Sequence, residues 1–357
     1  MKRINILQLV TGLGMGGAEK VVLDLARYTD KSRFDTFVLA MSERDELLNE
    51  FLENEIPTVI LRKSNTLFDF IKIIISVSGF VKKNKIDIIH AHMTHAVIVA
   101  SMIKLLRPSV KIVFTSHSFN IGSKMREFIL WSLKPLRDID IIFSKEIWKY
   151  FYKKNYQVIP NGVKLETYDV RAAKNPRFTF IAIGRLERVK NHRFLIEIAK
   201  RLKDEFDFEL QIVGEGYLRN DLQEMIQKYK LQDTVKLLGL RNDIPLLLNR
   251  SHCLLMPSLW EGLPIVILEG AASKIPIIST PVGSIPSLLS EENAYLAGLE
   301  AFEEKMKTVL REYADAQKKA QKLFEKIKRE YSIEVIVKAH ENIYQNLAQK
   351  VQIIDDK

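Results

Sequence analysis

The sequence predicts an α/β protein built from two doubly wound parallel sheets. Its 357 residues exceed one ordinary domain and suit two. Short apolar runs alternate with helical patterns along both halves, and parallel strands need such helical crossovers. The loops richest in glycine fall where a strand hands over to a helix, the edge at which such sheets bind ligands.

In the first half, strands are read at 5–10, 34–41, 57–61, 87–90, 111–115, 139–143 and 157–159, with helices such as 18–28 and 95–106 between them. The second half repeats the scheme with strands at 178–183, 209–213, 235–238, 253–256 and 277–279. Pro160-Asn161-Gly162 is the natural linker. Residues 300–349 are helical in pattern almost throughout.

Composition is that of a soluble globular protein, 47% hydrophobic and 27% charged. The single cysteine, Cys253, rules out an internal disulfide framework and fits a reducing compartment. The apolar run after Met1-Lys2-Arg3 ends at Val10, too short for a signal peptide, and the longest apolar run, 73–81, is about half a membrane span. A cytoplasmic protein is expected. Residues 1–165 carry 25 Lys+Arg against 16 Asp+Glu, while residues 166–357 carry 29 against 28. A basic first half beside a neutral second half suggests that one lobe meets something anionic.

The segment from Glu261-Gly262-Leu263-Pro264 to Glu269 is the most telling. The apolar run 252–256 is broken by Pro257-Ser258, and helical spacing starts at about Pro264, which suits a first helical position. The amides of Gly262 and Leu263 then point out of the helix start, ready for phosphate or sugar oxygens. Glu261 on the loop and Glu269 on the second turn flank that anion site, an arrangement that suits a nucleotide diphosphate sugar. Gly184-Arg185-Leu186-Glu187-Arg188-Val189-Lys190-Asn191 ends another strand and offers a guanidinium fork and a point charge to a diphosphate. Gly214-Glu215-Gly216 and the stretch 239–243 with Arg241 follow the next two strands.

Taken together, these segments resemble the Glu-x7-Glu, Gly-Arg-Leu…Lys-Asn and Gly-x-Gly motifs of the retaining glycosyltransferases of family 4. That resemblance implies the GT-B fold, two Rossmann-like domains facing a central cleft. Residues 1–165 with the closing helix at about 335–357 would form the acceptor domain, and residues 166–334 the donor domain. It implies donor contacts at Gly16, Gly17, Gly184, Gly214, Arg241, Gly262, Leu263, Pro264 and Glu269, with Glu269 on the ribose hydroxyls and Arg241 near the base. Glu261 would sit near the transferred sugar, and Arg185 and Lys190 would stabilise the departing diphosphate. His117, in Thr115-Ser116-His117-Ser118, falls where the family places a histidine near the donor sugar, donating a hydrogen bond to a hydroxyl or steadying the transition state. His92 and Glu19 would meet the acceptor. The donor is a substrate, so neither cofactor nor metal is implied.

Other readings need weighing. Gly12-Leu13-Gly14-Met15-Gly16-Gly17 matches the dinucleotide fingerprint of an NAD-dependent dehydrogenase. The second strand nevertheless ends in Ala40-Met41-Ser42 without the acid that would hold an adenine ribose, and Gly16, Gly17 and Glu19 reproduce the family's Gly-Gly-x-Glu. A nucleotide-sugar epimerase of the same fold is the other alternative. His90, His92 and His95 lack a completing cysteine or carboxylate for a metal. Asp138-Ile139-Asp140 opens a strand and points away from the site. Segment 124–154 holds eight basic and four acidic residues among Phe128, Trp131, Trp148, Tyr150, Phe151 and Tyr152. It reads as a surface for anionic lipid, as one for nucleic acid, or as core aromatics with solvated lysines. No nucleic-acid motif appears. A glycan or lipid-linked acceptor in bacterial surface-polysaccharide assembly, with a UDP-sugar donor, is the expectation. One departure is local: 291–295 lacks the Asn-Gly pair that the family often carries after Val282-Gly283-Ser284-Ile285-Pro286.

Overall fold

The computed structural model describes residues 3–14, 16–62, 67–117, 122–145, 155–262 and 264–355. The chain forms two compact units, residues 1–161 with 333–357 and residues 162–332.

The first unit runs β1 (Ile4–Val10), α1 (Gly17–Tyr28), β2 (Phe34–Ala40), α2 (Leu48–Glu53), β3 (Thr58–Ile60), α3 (Leu67–Lys83), β4 (Ile88–His92), α4 (Met93–Leu106), β5 (Lys111–Thr115), α5 (Lys124–Ser132), β6 (Ile139–Ile142) and β7 (Tyr156–Val158). Its seven parallel strands lie in the order β3-β2-β1-β4-β5-β6-β7. Central strands such as β1 and β4 are buried along most of their length, as sheets covered on both faces require.

The second unit runs α6 (Leu165–Tyr168), β8 (Phe178–Ile183), α7 (His192–Leu202), β9 (Phe208–Val213), α8 (Arg219–Lys228), β10 (Val235–Gly239), α9 (Ile244–Arg250), β11 (Cys253–Met256), α10 (Ile265–Ala272), β12 (Ile277–Ser279), α11 (Ile285–Leu288), β13 (Tyr295–Leu296), α12 (Leu299–Arg311) and α13 (Tyr313–Glu330). Its six parallel strands follow the order β10-β9-β8-β11-β12-β13. Each sheet reverses direction once, between β1 and β4 and between β8 and β11. Loops diverge at that point and leave a crevice beyond the strand ends.

The last helix, α14 (Ile333–Asp355), returns to the first unit. Ile336, Ile343, Tyr344 and Leu347 recur at helical spacing and pack on Ile6, Phe34, Ile88, Val113 and Ile141 of the first sheet. At about 1.5–3 kcal/mol for each fully buried large apolar side chain, this face holds the helix firmly in place. Among the described residues, no helix is long and apolar enough to cross a membrane.

Several expectations shift. β4 runs on to His92, so α4 starts at Met93 and His92 ends a strand. Pro264 is the N-cap of α10, extended at ψ 123°, and helical geometry starts one residue later than read. The two-residue strand β13 has no readable sequence pattern. In segment 124–154, Lys134 and Arg137 are not solvated: both are buried against Asp140, at 2.9 Å and 2.7 Å. Asp140 is thus the anion that lets two cations be buried, a structural role for the Asp-x-Asp pair. Phe128 and Trp131 are exposed and stacked on each other, not core. Trp148, Tyr150, Phe151 and Tyr152 lie outside the described residues.

Candidate active site

In the second unit the crevice between β8 and β11 gathers the residues singled out in sequence. The loop after β8 carries Gly184, Arg185 and Lys190; the loop after β11 carries Ser258, Glu261 and Gly262. Lys190 Nζ donates to Glu261 Oε1 at 2.6 Å, and Ser258 Oγ donates to the same oxygen at 2.7 Å. Glu261 is 7% exposed. A buried carboxylate needs such partners, because desolvation penalises an unpaired charge. The sequence assigned Lys190 to a diphosphate and Glu261 to a sugar; the structure puts the two side chains in contact.

The backbone of this loop is tied on both sides. Leu259 N–H donates to Val189 O at 2.9 Å, and Asn191 Nδ2 to Pro257 O at 3.2 Å. Thr280 Oγ1 donates to Ser258 O at 2.6 Å, and Ser284 Oγ to Gly262 O at 2.7 Å. Gly283, at φ +59°, lies so close to this loop that a Cβ there would stand 1.9 Å from Glu261 O. Gly262 faces open space: among the described residues, its chain neighbours aside, no atom lies within 4 Å of the position a Cβ would take. Leu263 lies outside the described residues.

Glu269 stands on the second turn of α10, largely buried, and its Oε1 accepts from Tyr168 OH at 2.6 Å. Sequence reasoning missed Tyr168 because its short helix, α6, lies 101 residues away. Ser258 was noticed only as a strand breaker. The neighbouring loops are joined as well. Gly184 N–H donates to Val213 O and Gly214 N–H to Gly239 O, at 2.9 and 2.8 Å. A Cβ on Gly214 would fall 2.1 Å from Gly184 O, so this turn admits glycine alone without rearrangement.

Two further candidate donor residues are paired locally. Arg185 is 74% exposed at its side chain and pairs with Glu187 at 2.9 Å. Arg241 grips Asp243 bidentately, at 2.8 and 2.7 Å, out on the surface.

In the first unit Gly16 is the N-cap of α1 and Gly17 its first residue. The Glu19 carboxylate folds back over them: a Cβ on Gly16 would lie 2.4 Å from Glu19 Oε2. Burial raises the Glu19 carboxyl above its ordinary range, partly offset by its own backbone amide and by Arg44. A carboxylate therefore already stands at this helix start. His92 and His117 are brought together, Nδ1 to Nε2 at 2.7 Å, on the ends of β4 and β5. His95, on α4, is exposed; among the described residues no group of three or more His, Cys, Asp or Glu is placed to hold a metal.

Comparisons with known proteins agree with this geometry. The model for glycosyl transferases group 1 matches residues 166–330, and that for glycosyltransferase family 4 matches residues 15–167. The Escherichia coli UDP-Gal:alpha-D-GlcNAc-diphosphoundecaprenol alpha-1,3-galactosyltransferase is 29% identical over 311 residues, covering 78% of this chain and 79% of that protein. A Campylobacter jejuni 4-alpha-N-acetylgalactosaminyltransferase acting on N-acetylgalactosamine-N,N'-diacetylbacillosaminyl-diphospho-undecaprenol is 26% identical over 306 residues, covering 78% and 81%. The crystal structure of Anabaena HepE with UDP and glucose superposes with a TM-score of 0.83 at 17% identity, covering 96% of this chain and 100% of that one. These matches displace the dehydrogenase reading of the Gly12 loop. With two Rossmann-like parallel-sheet units and family matches running from residue 15 to residue 330, the chain belongs to the family 4 glycosyltransferases of the GT-B fold.

Proposed function

We propose that this enzyme moves a hexose from a UDP-sugar, with retention of anomeric configuration, to a lipid-linked glycan in bacterial surface-polysaccharide assembly. The observation that carries the reading is the convergence of Lys190 and Glu261 at the β8/β11 switch point, one cation and one buried carboxylate on facing loops. Lys190 and Arg185 take the diphosphate, with the Gly262 amide and the start of α10 beside them. Gly184 and Gly214 let the backbone come close. Glu269, held by Tyr168, accepts from the ribose hydroxyls, and Glu261 orients the transferred sugar. The bond from C1 to the phosphate oxygen breaks, the acceptor oxygen bonds to C1 on the same face, and its proton passes to the departing phosphate. Cationic side chains supply the charge, so the reading needs no metal. In the first unit Glu19, already at the start of α1, offers an acceptor hydroxyl a hydrogen-bond partner.

The donor assignment draws on the UDP-Gal in the name of the Escherichia coli relative and the UDP bound to HepE. Thermal stabilisation against UDP, GDP, ADP, NAD and NADP tests it. UDP is expected to raise the melting temperature, and Arg185→Ala to remove most of that shift. A response to NAD or NADP alone would refute the reading.

A lipid-linked acceptor places the enzyme at a bilayer surface, and the first unit has a face suited to it. Residues 67–137 carry eleven Lys+Arg against three Asp+Glu. Phe68, Ile71 and Ile75 form an exposed stripe along α3, with Lys72 against the Phe68 ring at 4.0 Å. Met125, Phe128 and Trp131 form another along α5, and α4 packs against both helices. Apolar stripes bordered by cations suit the headgroup region of anionic lipid. The protein is expected to float with vesicles containing anionic lipid and not with neutral ones. Ile71→Glu with Ile75→Glu should lower retention by about tenfold or more. Equal flotation of that variant would exclude this face.

A further inference from the structure

At the strand ends of the first sheet lies a run of buried polar side chains that the reaction above does not use. Gln8 (β1), His90 and His92 (β4), Thr115 (β5) and Tyr344 (α14) are buried, and His117 beyond β5 is partly exposed. Strand register sets them side by side, Gln8 opposite His90 and His92 opposite Thr115.

Gln8 sets the direction of the hydrogen bonds around it. Gln8 Oε1 only accepts, so His92 Nε2, 2.7 Å away, carries the proton. Burial first, then His90, His117 and His340, push His92 well below the ordinary imidazole range. The ring is therefore neutral and its Nδ1 is a bare acceptor. His117 Nε2, at 2.7 Å, must then donate to it. Burial and His340 lower His117 too, to about 3, so it is neutral and its Nδ1 keeps a lone pair. On the other side Gln8 Nε2 donates to Tyr344 OH at 3.4 Å, and the His90 ring bridges Tyr344 OH through Nδ1 at 2.8 Å and Thr115 Oγ1 through Nε2 at 2.7 Å. The three links from His117 through His92 and Gln8 to Tyr344 run one way. Reversing them means turning the Gln8 amide and moving the protons of His92 and His117, which couples the links.

We propose that this hydrogen-bond chain fixes His117 in its Nε2–H tautomer and presents its Nδ1 as an acceptor for a substrate hydroxyl, with Gln8 and His92 as positioning residues. The sequence resemblance had His117 donate to a hydroxyl or steady the transition state; in this wiring it accepts. The tautomer stands on the geometry of the first unit alone, while the hydroxyl as partner rests on the glycosyl-transfer reading.

Long-range proton–nitrogen correlation spectra of the whole chain, labelled with nitrogen-15 histidine, test the tautomer directly. Protonated Nε2 and bare Nδ1 are expected on both His92 and His117; Nδ1–H on His117 would overturn the proposal. Gln8→Glu tests the function. Around His92 the titratable groups are His90 on its own strand, His117 beyond β5, and His340 and Tyr344 from α14, with Glu341 next to Tyr344. A carboxylate at position 8 would draw a second proton onto His92, whose Nδ1–H would then force His117 into the opposite tautomer. Transfer by the wild type should stay level from pH 8 to pH 6, whereas Gln8→Glu should lose about tenfold over that range. Nucleotide stabilisation should be unchanged in the variant. A level profile in a folded Gln8→Glu protein would refute the coupling. If that variant fails to fold, the wild-type tautomer decides; if no donor is turned over at all, the spectra still judge the wiring.

Discussion

Replacing Glu261 by glutamine is expected to lower sugar transfer by about a hundredfold or more while leaving the grip on a nucleoside diphosphate intact or tighter. Glutamine keeps the shape of the side chain and can still accept from Ser258, so the loop should hold. What it removes is the negative charge that shares the Lys190 ammonium at 2.6 Å. Freed of that partner, Lys190 is available to phosphate oxygens, and opposite charges at contact distance in a partly buried site interact strongly. Lys190→Ala should do the reverse, weakening diphosphate binding by about tenfold or more. The two variants therefore move binding in opposite directions while both slow turnover. Calorimetric titration with UDP beside steady-state transfer rates separates these effects. A Glu261→Gln enzyme with near-normal turnover, or one that loses UDP affinity as Lys190→Ala does, would remove the pair from the site.

Much of this was legible in the sequence because the signals were local. β1 and β8 read as strands since six or seven apolar or β-compatible residues recur without a break, and the glycine loops follow them directly. β13 was not legible: two residues after a polar stretch carry no period. Pro264 marked its helix to within one residue, because a φ near −70° serves the N-cap and the first turn alike. Partnerships were harder. Lys190 and Glu261 were each marked by motif, yet their contact depends on β8 lying next to β11, which strand order decides and local pattern does not. Gln8 went unmarked inside an apolar strand, and its partner Tyr344 lies 336 positions away. The pairing of Arg241 was missed although it is local: its partner Asp243 is two residues on.

Gly283→Ala should damage both stability and turnover, and Gly262→Ala only turnover, although the two glycines meet in one loop contact. At φ +59° an alanine in position 283 costs about 1–2 kcal/mol in backbone energy alone. Its Cβ would stand 1.9 Å from Glu261 O, so backbone must shift as well. A unit of this size loses roughly 2–4 °C of melting temperature per kcal/mol, which puts the expected fall at about 5 °C or more. Displacing Glu261 by even an ångström should lower transfer about a hundredfold. Position 262 is different, because a Cβ there meets nothing within 4 Å among the described residues beyond its chain neighbours, and the backbone is not left-handed. Gly262→Ala should melt within about 1 °C of the wild type, since surface changes of this kind usually alter stability little. Its methyl group occupies the room through which a donor would approach the amide, so transfer should still fall by about tenfold. Full activity in Gly262→Ala would mean that the ligand does not approach there. Unchanged melting in Gly283→Ala would mean that the loop carrying Glu261 yields freely, and rigid placement of that carboxylate would lose its physical basis.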